Sequence, residues 1–192
     1  MREFKHLMID IETLGTKPGC VILSIGAVAF NLDTGRTGPE FYDIISLESS
    51  MAAGFAIDPK TLVWWLQQKT SSLKDIIIEN KPITSKSQFH MVMINFYDFI
   101  QNLDIFMELE VWGNSNRFDM GILEPYFDRA GLGLPWQYYN ERDVRTLVRY
   151  GPEIKEKVVQ EAKDEDQELH NAIVDCHLQI KYCVEIHNKI IN

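Results

Sequence analysis

Basic residues are in short supply: 19 Lys and Arg stand against 28 Asp and Glu, for a formal net charge of −9. That balance excludes a protein that coats nucleic acid through a broad basic surface, and it predicts only modest salt dependence for any contact with a polyanion. Cysteine is also scarce. Cys20, Cys176 and Cys183 are odd in number, widely spaced and set among apolar neighbours, which suits reduced core thiols and not a disulfide framework or a zinc knuckle. Long apolar runs are missing, and Met1-Arg2-Glu3-Phe4 leads straight into a strand-like segment without the pattern of a signal sequence. The expectation is a soluble cytoplasmic chain with no membrane association. Internal repeats and low-complexity tracts are absent as well.

What remains is enough for one core: 192 residues, 45% hydrophobic, fit a single domain spanning 1–192. Phe4 to Ile11 and Val21 to Phe30 are dense in branched apolar residues, and Asp33-Thr34-Gly35 offers a turn before Phe41 to Ser46. The start therefore reads as a three-stranded antiparallel meander. Asp58-Pro59 opens a helix carrying Leu62, Trp65 and Leu66, and a second stretch with Leu73, Ile76 and Ile77 ends near Asn80-Lys81-Pro82. Ser87 to Leu103 shows a helical stripe of Phe89, Val92, Met93, Phe96 and Ile100.

Leu109 to Trp112 reads as a strand ending at Gly113, followed by a helix with Phe118, Ile122, Leu123, Tyr126 and Phe127 that stops at Gly131. An edge strand is expected around Gln137 to Tyr139 and a short helix near Val144 to Tyr150. Pro152 to Glu168, rich in Lys and Glu, reads as a solvated helix or a mobile segment. The last helix runs from about Ala172 to Ile190, with Ile173, Cys176, Ile180, Val184 and Ile186 on its buried side. A meander followed by strand-helix alternation makes an α/β layered fold: a mixed sheet, antiparallel first and then parallel, with helices on both faces.

Two acids interrupt the first strand. Asp10 and Glu12 lie two apart, so both point to one face while Ile11 points away. Unpaired burial of both would be costly, and a shared cation removes the cost. Alone, Asp-x-Glu more often marks a frayed strand end and a turn cap. The chain repeats it at Asp166-Gln167-Glu168, within a charge run that reads as solvated surface. Asp119 follows Trp112-Gly113-Asn114-Ser115-Asn116-Arg117-Phe118 where a strand gives way to a helix, and an acid in a first helical turn is favoured by the helix dipole whatever else it does. His170 and Asp175 are five apart. They reach one site only if His170 sits in the loop before the last helix, with Asn171 as its N-cap.

Asp10-Ile11-Glu12-Thr13, Asn114 to Asp119 with Met120-Gly121-Ile122-Leu123, and His170-x-Ala172-x-x-Asp175 resemble, in order and context, the three motifs of the DnaQ-like 3′-5′ exonuclease superfamily in its DEDDh branch. Met8 to Gly15, Thr61 to Trp65, Asn140 to Thr146 and His170 to Tyr182 look like the compact phage exodeoxyribonucleases and related bacterial exoribonucleases. Arg117 falls at a variable place in the second motif, and the acidic run from Glu161 to Glu168 has no counterpart in the pattern.

The resemblance implies a ribonuclease-H-like fold and a 3′-5′ exonuclease that uses two divalent cations, Mg²⁺ or Mn²⁺, roughly 3.5–4 Å apart. By the same resemblance Asp10 bridges the ions, Glu12 and Asp175 hold the first, Asp119 holds the second and His170 is the general base. Thr13, Leu14 and Gly15 would meet the terminal nucleotide through backbone groups and an apolar wedge. Trp64 and Trp65 offer a stacking face for a base, with core packing as the rival use; one of the pair is expected in the core and one at the cleft, and Trp112 in the core. Asn114, Asn116 and Arg117 are candidates for phosphate contact, although a polar strand-to-helix loop needs no such role. The expected partner is the 3′ end of single-stranded DNA or RNA, DNA slightly favoured, with no residue diagnostic of the 2′-hydroxyl. A binding module that keeps the fold without catalysis is the alternative. Oligomeric state is not legible, and a homodimer stays open.

Overall fold

The computed structural model describes residues 3–68, 88–103, 107–165, 167 and 169–191. A five-stranded sheet runs in the order β3-β2-β1-β4-β5, built from β1 (His6–Thr13), β2 (Ile22–Phe30), β3 (Thr37–Ile44), β4 (Glu110–Gly113) and β5 (Glu141–Asp143). The first three strands form the antiparallel meander, and β4 and β5 join parallel to β1. Seven α-helices accompany them among the described residues: α1 (Leu47–Ala52), α2 (Pro59–Gln67), α3 (Phe89–Asn102), α4 (Asn116–Arg129), α5 (Val144–Val148), α6 (Pro152–Asp164) and α7 (Ala172–Ile191).

Strand alternation sorts the core into two layers. Leu7, Ile9 and Ile11 of β1 face one apolar cluster with Val92, Phe96, Ile122 and Phe127 from α3 and α4. Met8, Val28 and Trp112 face the other, with Val144, Val158, Cys176, Ile180 and Ile186 from α5, α6 and α7. Asp10 and Glu12 continue the Met8 face of β1, so the apolar layer beneath α7 gives way to carboxylates as β1 nears its end. In register, Asp10 lies opposite Gly26 and Glu12 opposite Ser24. A Cβ on Gly26 would stand 2.5 Å from the Ala172 carbonyl carbon. The missing side chain is what lets the N-terminus of α7 settle directly over β1 and β2.

Several boundaries differ from those expected. β3 starts at Thr37 and stops at Ile44, because Ser46 is taken up as the N-cap of α1, its Oγ accepting the Ser49 N–H at 3.3 Å. The edge strand is Glu141–Asp143, while Tyr138–Asn140 forms a 3₁₀ turn. The buried Trp136 indole donates to Glu141 at 3.0 Å, and Asp143 both ends the strand and caps α5 through the Thr146 N–H. Leu66 is exposed, so the buried side of α2 is carried by Trp65 with partly buried Leu62. Pro152–Asp164 is an ordered helix that buries Val158 and Ala162, one turn apart, against α7. The three cysteines are free and buried. The stretch with Leu73, Ile76 and Ile77 lies outside the described residues, as do Asp166 and Glu168. Among the described residues no helix is long and apolar enough to cross a membrane.

Gly26→Ala is expected to lower unfolding free energy by about 1–3 kcal/mol, the usual cost of overpacking a site where backbone must move. Urea denaturation measures it, and a wild-type midpoint would contradict the fit of α7 against β2.

Candidate active site

Three elements deliver acids to one end of the sheet. β1 brings Asp10 and Glu12, the first turn of α4 brings Asp119, and α7 brings Asp175, with His170 just before it. A cleft of about 610 Å³ opens here, lined by Asp10, Glu12, His170 and Asp175 and walled by Trp64 and Trp65 of α2. One ligand atom each from Glu12, His170 and Asp175 lie within 4.8 Å of one another. Asp119 is buried and does not itself line the cleft; its Oδ2 accepts the Ser115 N–H at 3.1 Å. Gly113 makes room for it, since a Cβ there would meet Asp119 Oδ2 at 2.8 Å.

His170 is placed by strain and by aromatic contact. Its φ of 65° is the one positive value at a described non-glycine residue, a conformation that side chains adopt only when their surroundings impose it. Asn171 caps α7, its Oδ1 accepting the Ile173 N–H at 3.2 Å, so His170 lies in the loop as the spacing required. The imidazole meets Trp64 and Trp65 edge-on, with ring centroids 5.3 and 5.8 Å away. Trp65 is buried and anchored by a 2.8 Å bond from Nε1 to the Thr13 carbonyl, whereas Trp64 is 42% exposed at the cleft. Trp112 lies in the core.

Burial raises all four acids, and repulsion within the cluster adds to it at Asp10 and Glu12. Asp10 is pushed well above the usual carboxylate range by desolvation first, then by Asp119, Glu12 and Asp175. Desolvation, with Asp175 and Asp119, lifts Glu12 to about 8. It lifts Asp119 to about 7 against the opposing Ser115 N–H, and Asp175 to about 6. Burial pushes His170 down, which favours the neutral imidazole.

The other residues singled out by sequence divide. Thr13 is buried at the cleft floor, its Oγ1 donating to the Gly15 carbonyl at 2.7 Å. Gly15 also lines the cleft, and its lack of a side chain serves the contact with Cys20, whose Cβ a Gly15 Cβ would meet at 2.4 Å. Leu14 points the other way, into the core, with its backbone groups bonded to Val21 and Asp58. Asn114 lines the cleft, and its buried Oδ1 has no described partner. Asn116 donates to Asp143 and Glu141, and with Arg117 it lines a different concavity. Sequence reasoning passed over Lys60, Thr61 and Phe118 on the cleft wall, and Gln179, whose Nε2 donates to Asp10 at 2.7 Å. Gln179 stands one helical turn beyond Asp175, a spacing legible in the sequence.

A divalent cation fits this donor set. The oxygens are hard ligands, and Glu12, 7% exposed, accepts no hydrogen bond from a described residue. Burying such a group is costly unless a cation offsets it.

A ribonuclease-H-like fold with acids at this end of the sheet is the arrangement of the DEDD-type nucleases. Residues 5–187 match the family model of the Rv2179c-like 3′-5′ exoribonuclease domain, and the chain belongs to that family. Among solved structures, E. coli exonuclease I in complex with a dT13 oligonucleotide aligns with a TM-score of 0.63 and 13% identity, over 94% of this chain and 40% of that one. A product-bound exonuclease I gives 0.60 at 12% identity, over 94% and 42%. A 3′-exonuclease specific for the 3′ end of a histone mRNA stem-loop gives 0.53 at 10%, over 98% and 82%. The chain thus spans about two-fifths of the exonuclease I chains. No curated protein sequence matches it.

Without metal, the folded chain holds these protons to higher pH than the unfolded one, whose carboxyls titrate near about pH 4. The native state therefore binds more protons up to about pH 8, and its stability falls as pH rises through that window. The chelated protein is expected to melt lower at about pH 9 than at about pH 6, with Mn²⁺ raising Tm most at the higher pH. A Tm flat in pH and indifferent to Mn²⁺ and chelator would remove the cluster as a cation site.

Proposed function

We propose that the protein removes nucleotides from the 3′ end of single-stranded RNA, releasing nucleoside 5′-monophosphates, with residues 1–192 acting as one catalytic domain of the DEDDh type. The observation that carries this reading is the convergence of Glu12, His170 and Asp175 within 4.8 Å, in one cleft with Asp10. The family description favours RNA. DNA, slightly preferred from sequence, is the second reading, favoured by the likeness to an exonuclease I bound to an oligodeoxynucleotide.

Asp10, Glu12, Asp119 and Asp175 would hold two divalent cations, Mg²⁺ or Mn²⁺. When bound, the ions stabilise negative charge on the attacking and leaving oxygens. His170, whose neutral form burial favours, takes the proton of the attacking water at a ring nitrogen. Its edge-on contacts with Trp64 and Trp65 hold the ring in place for that transfer. The exposed face of Trp64 supplies a stacking surface for a base, which is tolerant of sequence. Thr13 and Gly15 form the floor on which the terminal nucleotide rests, and Asn114 offers its orphaned amide to the same space.

Matched RNA and DNA oligomers with free or blocked 3′ ends, digested with Mn²⁺, test the proposal. Free RNA ends are expected to yield 5′-mononucleotides, with activity lost in Asp10→Asn; if neither polymer is shortened, the hydrolase reading fails. His170→Ala should keep its fold and Mn²⁺ affinity while turnover falls by about 10²–10⁴-fold. Unchanged turnover would take His170 out of the mechanism. Trp64→Ala should weaken substrate binding by about 1–3 kcal/mol, read as a higher KM, with a fall in kcat beside it because the His170 ring loses one of its two indole contacts; an unaltered KM would return Trp64 to a packing role alone.

A further inference from the structure

The face of α7 that carries Asp175 also carries Gln179, one turn later, and both meet β1. Gln179 is 4% exposed. Its Nε2 donates to Asp10 Oδ1 at 2.7 Å. Asp10 as a cation ligand is ionised and only accepts, so in that state the amide nitrogen is the end turned toward it. The other end is left unsatisfied: Oε1 is enclosed and has no partner among the described residues.

That orphan oxygen is informative. A buried polar atom without a partner is destabilising, and a methionine or leucine at this position would fill similar space without it. The amide is therefore poorly accounted for by packing, and well accounted for by what its nitrogen does. Gly26, directly across from Asp10, allows α7 to approach closely enough for the bond to form.

From this geometry we infer that Gln179 is a positioning residue, which fixes the rotation of the Asp10 carboxylate so that its remaining lone pairs face the cleft for cation binding. The bond runs from a rigid helix face to a central strand, so it also locks Asp10 and Asp175 into one spacing. The inference rests on the reading of the acids as cation ligands. It predicts that the cost of losing Gln179 falls on metal affinity and not on the fold, as for other groups that orient a ligand from behind.

Gln179→Met keeps the volume and removes the donor; Gln179→Asn keeps the amide and shortens its reach. Free Mn²⁺ is counted by electron paramagnetic resonance during titration of each metal-free protein, with Tm and oligonucleotide kinetics measured in parallel. Both variants should bind Mn²⁺ about 10–100-fold more weakly. The chelated Tm of Gln179→Met should match or exceed wild type, while Gln179→Asn, with its amide buried and out of reach, is expected to lose a few degrees. In both, KM is unchanged and kcat recovers at high Mn²⁺. Wild-type Mn²⁺ affinity in both variants would overturn the inference, and so would a fall in affinity of Gln179→Met that merely tracks a fall in its Tm. If the wild-type protein binds Mn²⁺ but shortens no oligonucleotide, the nuclease reading fails separately, and Gln179 is judged on Mn²⁺ affinity alone.

Discussion

Four carboxylates held against one another at the edge of a hydrophobic layer are the constraint around which this structure is arranged. Desolvation raises each of them, and for Asp10 and Glu12 their neighbours add repulsion. No apolar residue could replace them without continuing the core out to the cleft, and no fold would gather them for stability. The compensating features are local. Ser115 donates to Asp119, Gln179 donates to Asp10, and Gly26 and Gly113 remove side chains where Ala172 and Asp119 need the space. The sheet supplies the rest, because a central strand buried on both faces cannot rotate its acids away from one another.

The same economy of movement governs the histidine. A loop residue with a positive φ would ordinarily relax, yet His170 is bounded by the capped start of α7 on one side and two indoles on the other. Trp65 is itself tied to the backbone of Thr13, the residue after Glu12. One chain of contacts thus links the acids of β1, the wall contributed by α2 and the imidazole. On the reading proposed above, a base on so constrained a support would meet its partner in one geometry, which is where a catalytic benefit of pre-organisation would arise.

Much of this was legible in the chain itself. Period-two spacing put Asp10 and Glu12 on one face, turn residues marked the meander, and five-residue spacing required His170 to precede the helix; the fold agrees on each point. What escaped depends on tertiary partners. Gln137 to Tyr139 read as a strand by composition, but the ladder is taken by Glu141–Asp143, where β4 offers a free edge and Trp136 anchors the approach. Gly26 carries no local signal of its role, which depends on α7 lying upon it. The Gln179 bond to Asp10 and the indole clasp on His170 are contacts across more than a hundred residues of sequence; the one-turn step from Asp175 to Gln179 can be read locally, but the partner across the fold cannot.

Charge brings the fold and the proposed activity together. The chain is acidic by nine charges, and Lys60 is the one lysine or arginine among the described residues lining the cleft. A phosphodiester approaching this surface would meet repulsion from the same carboxylates that are to act on it. On the reading proposed above, bound cations reverse the local sign, so attraction for the substrate and chemistry upon it come from one source. Binding of the strand is then coupled to loading of the site, and a broad basic surface becomes unnecessary. On that same reading the scarcity of Lys and Arg goes with the cluster: recognition would be concentrated at a terminus that fits the cleft, and long-range attraction along the strand would contribute little.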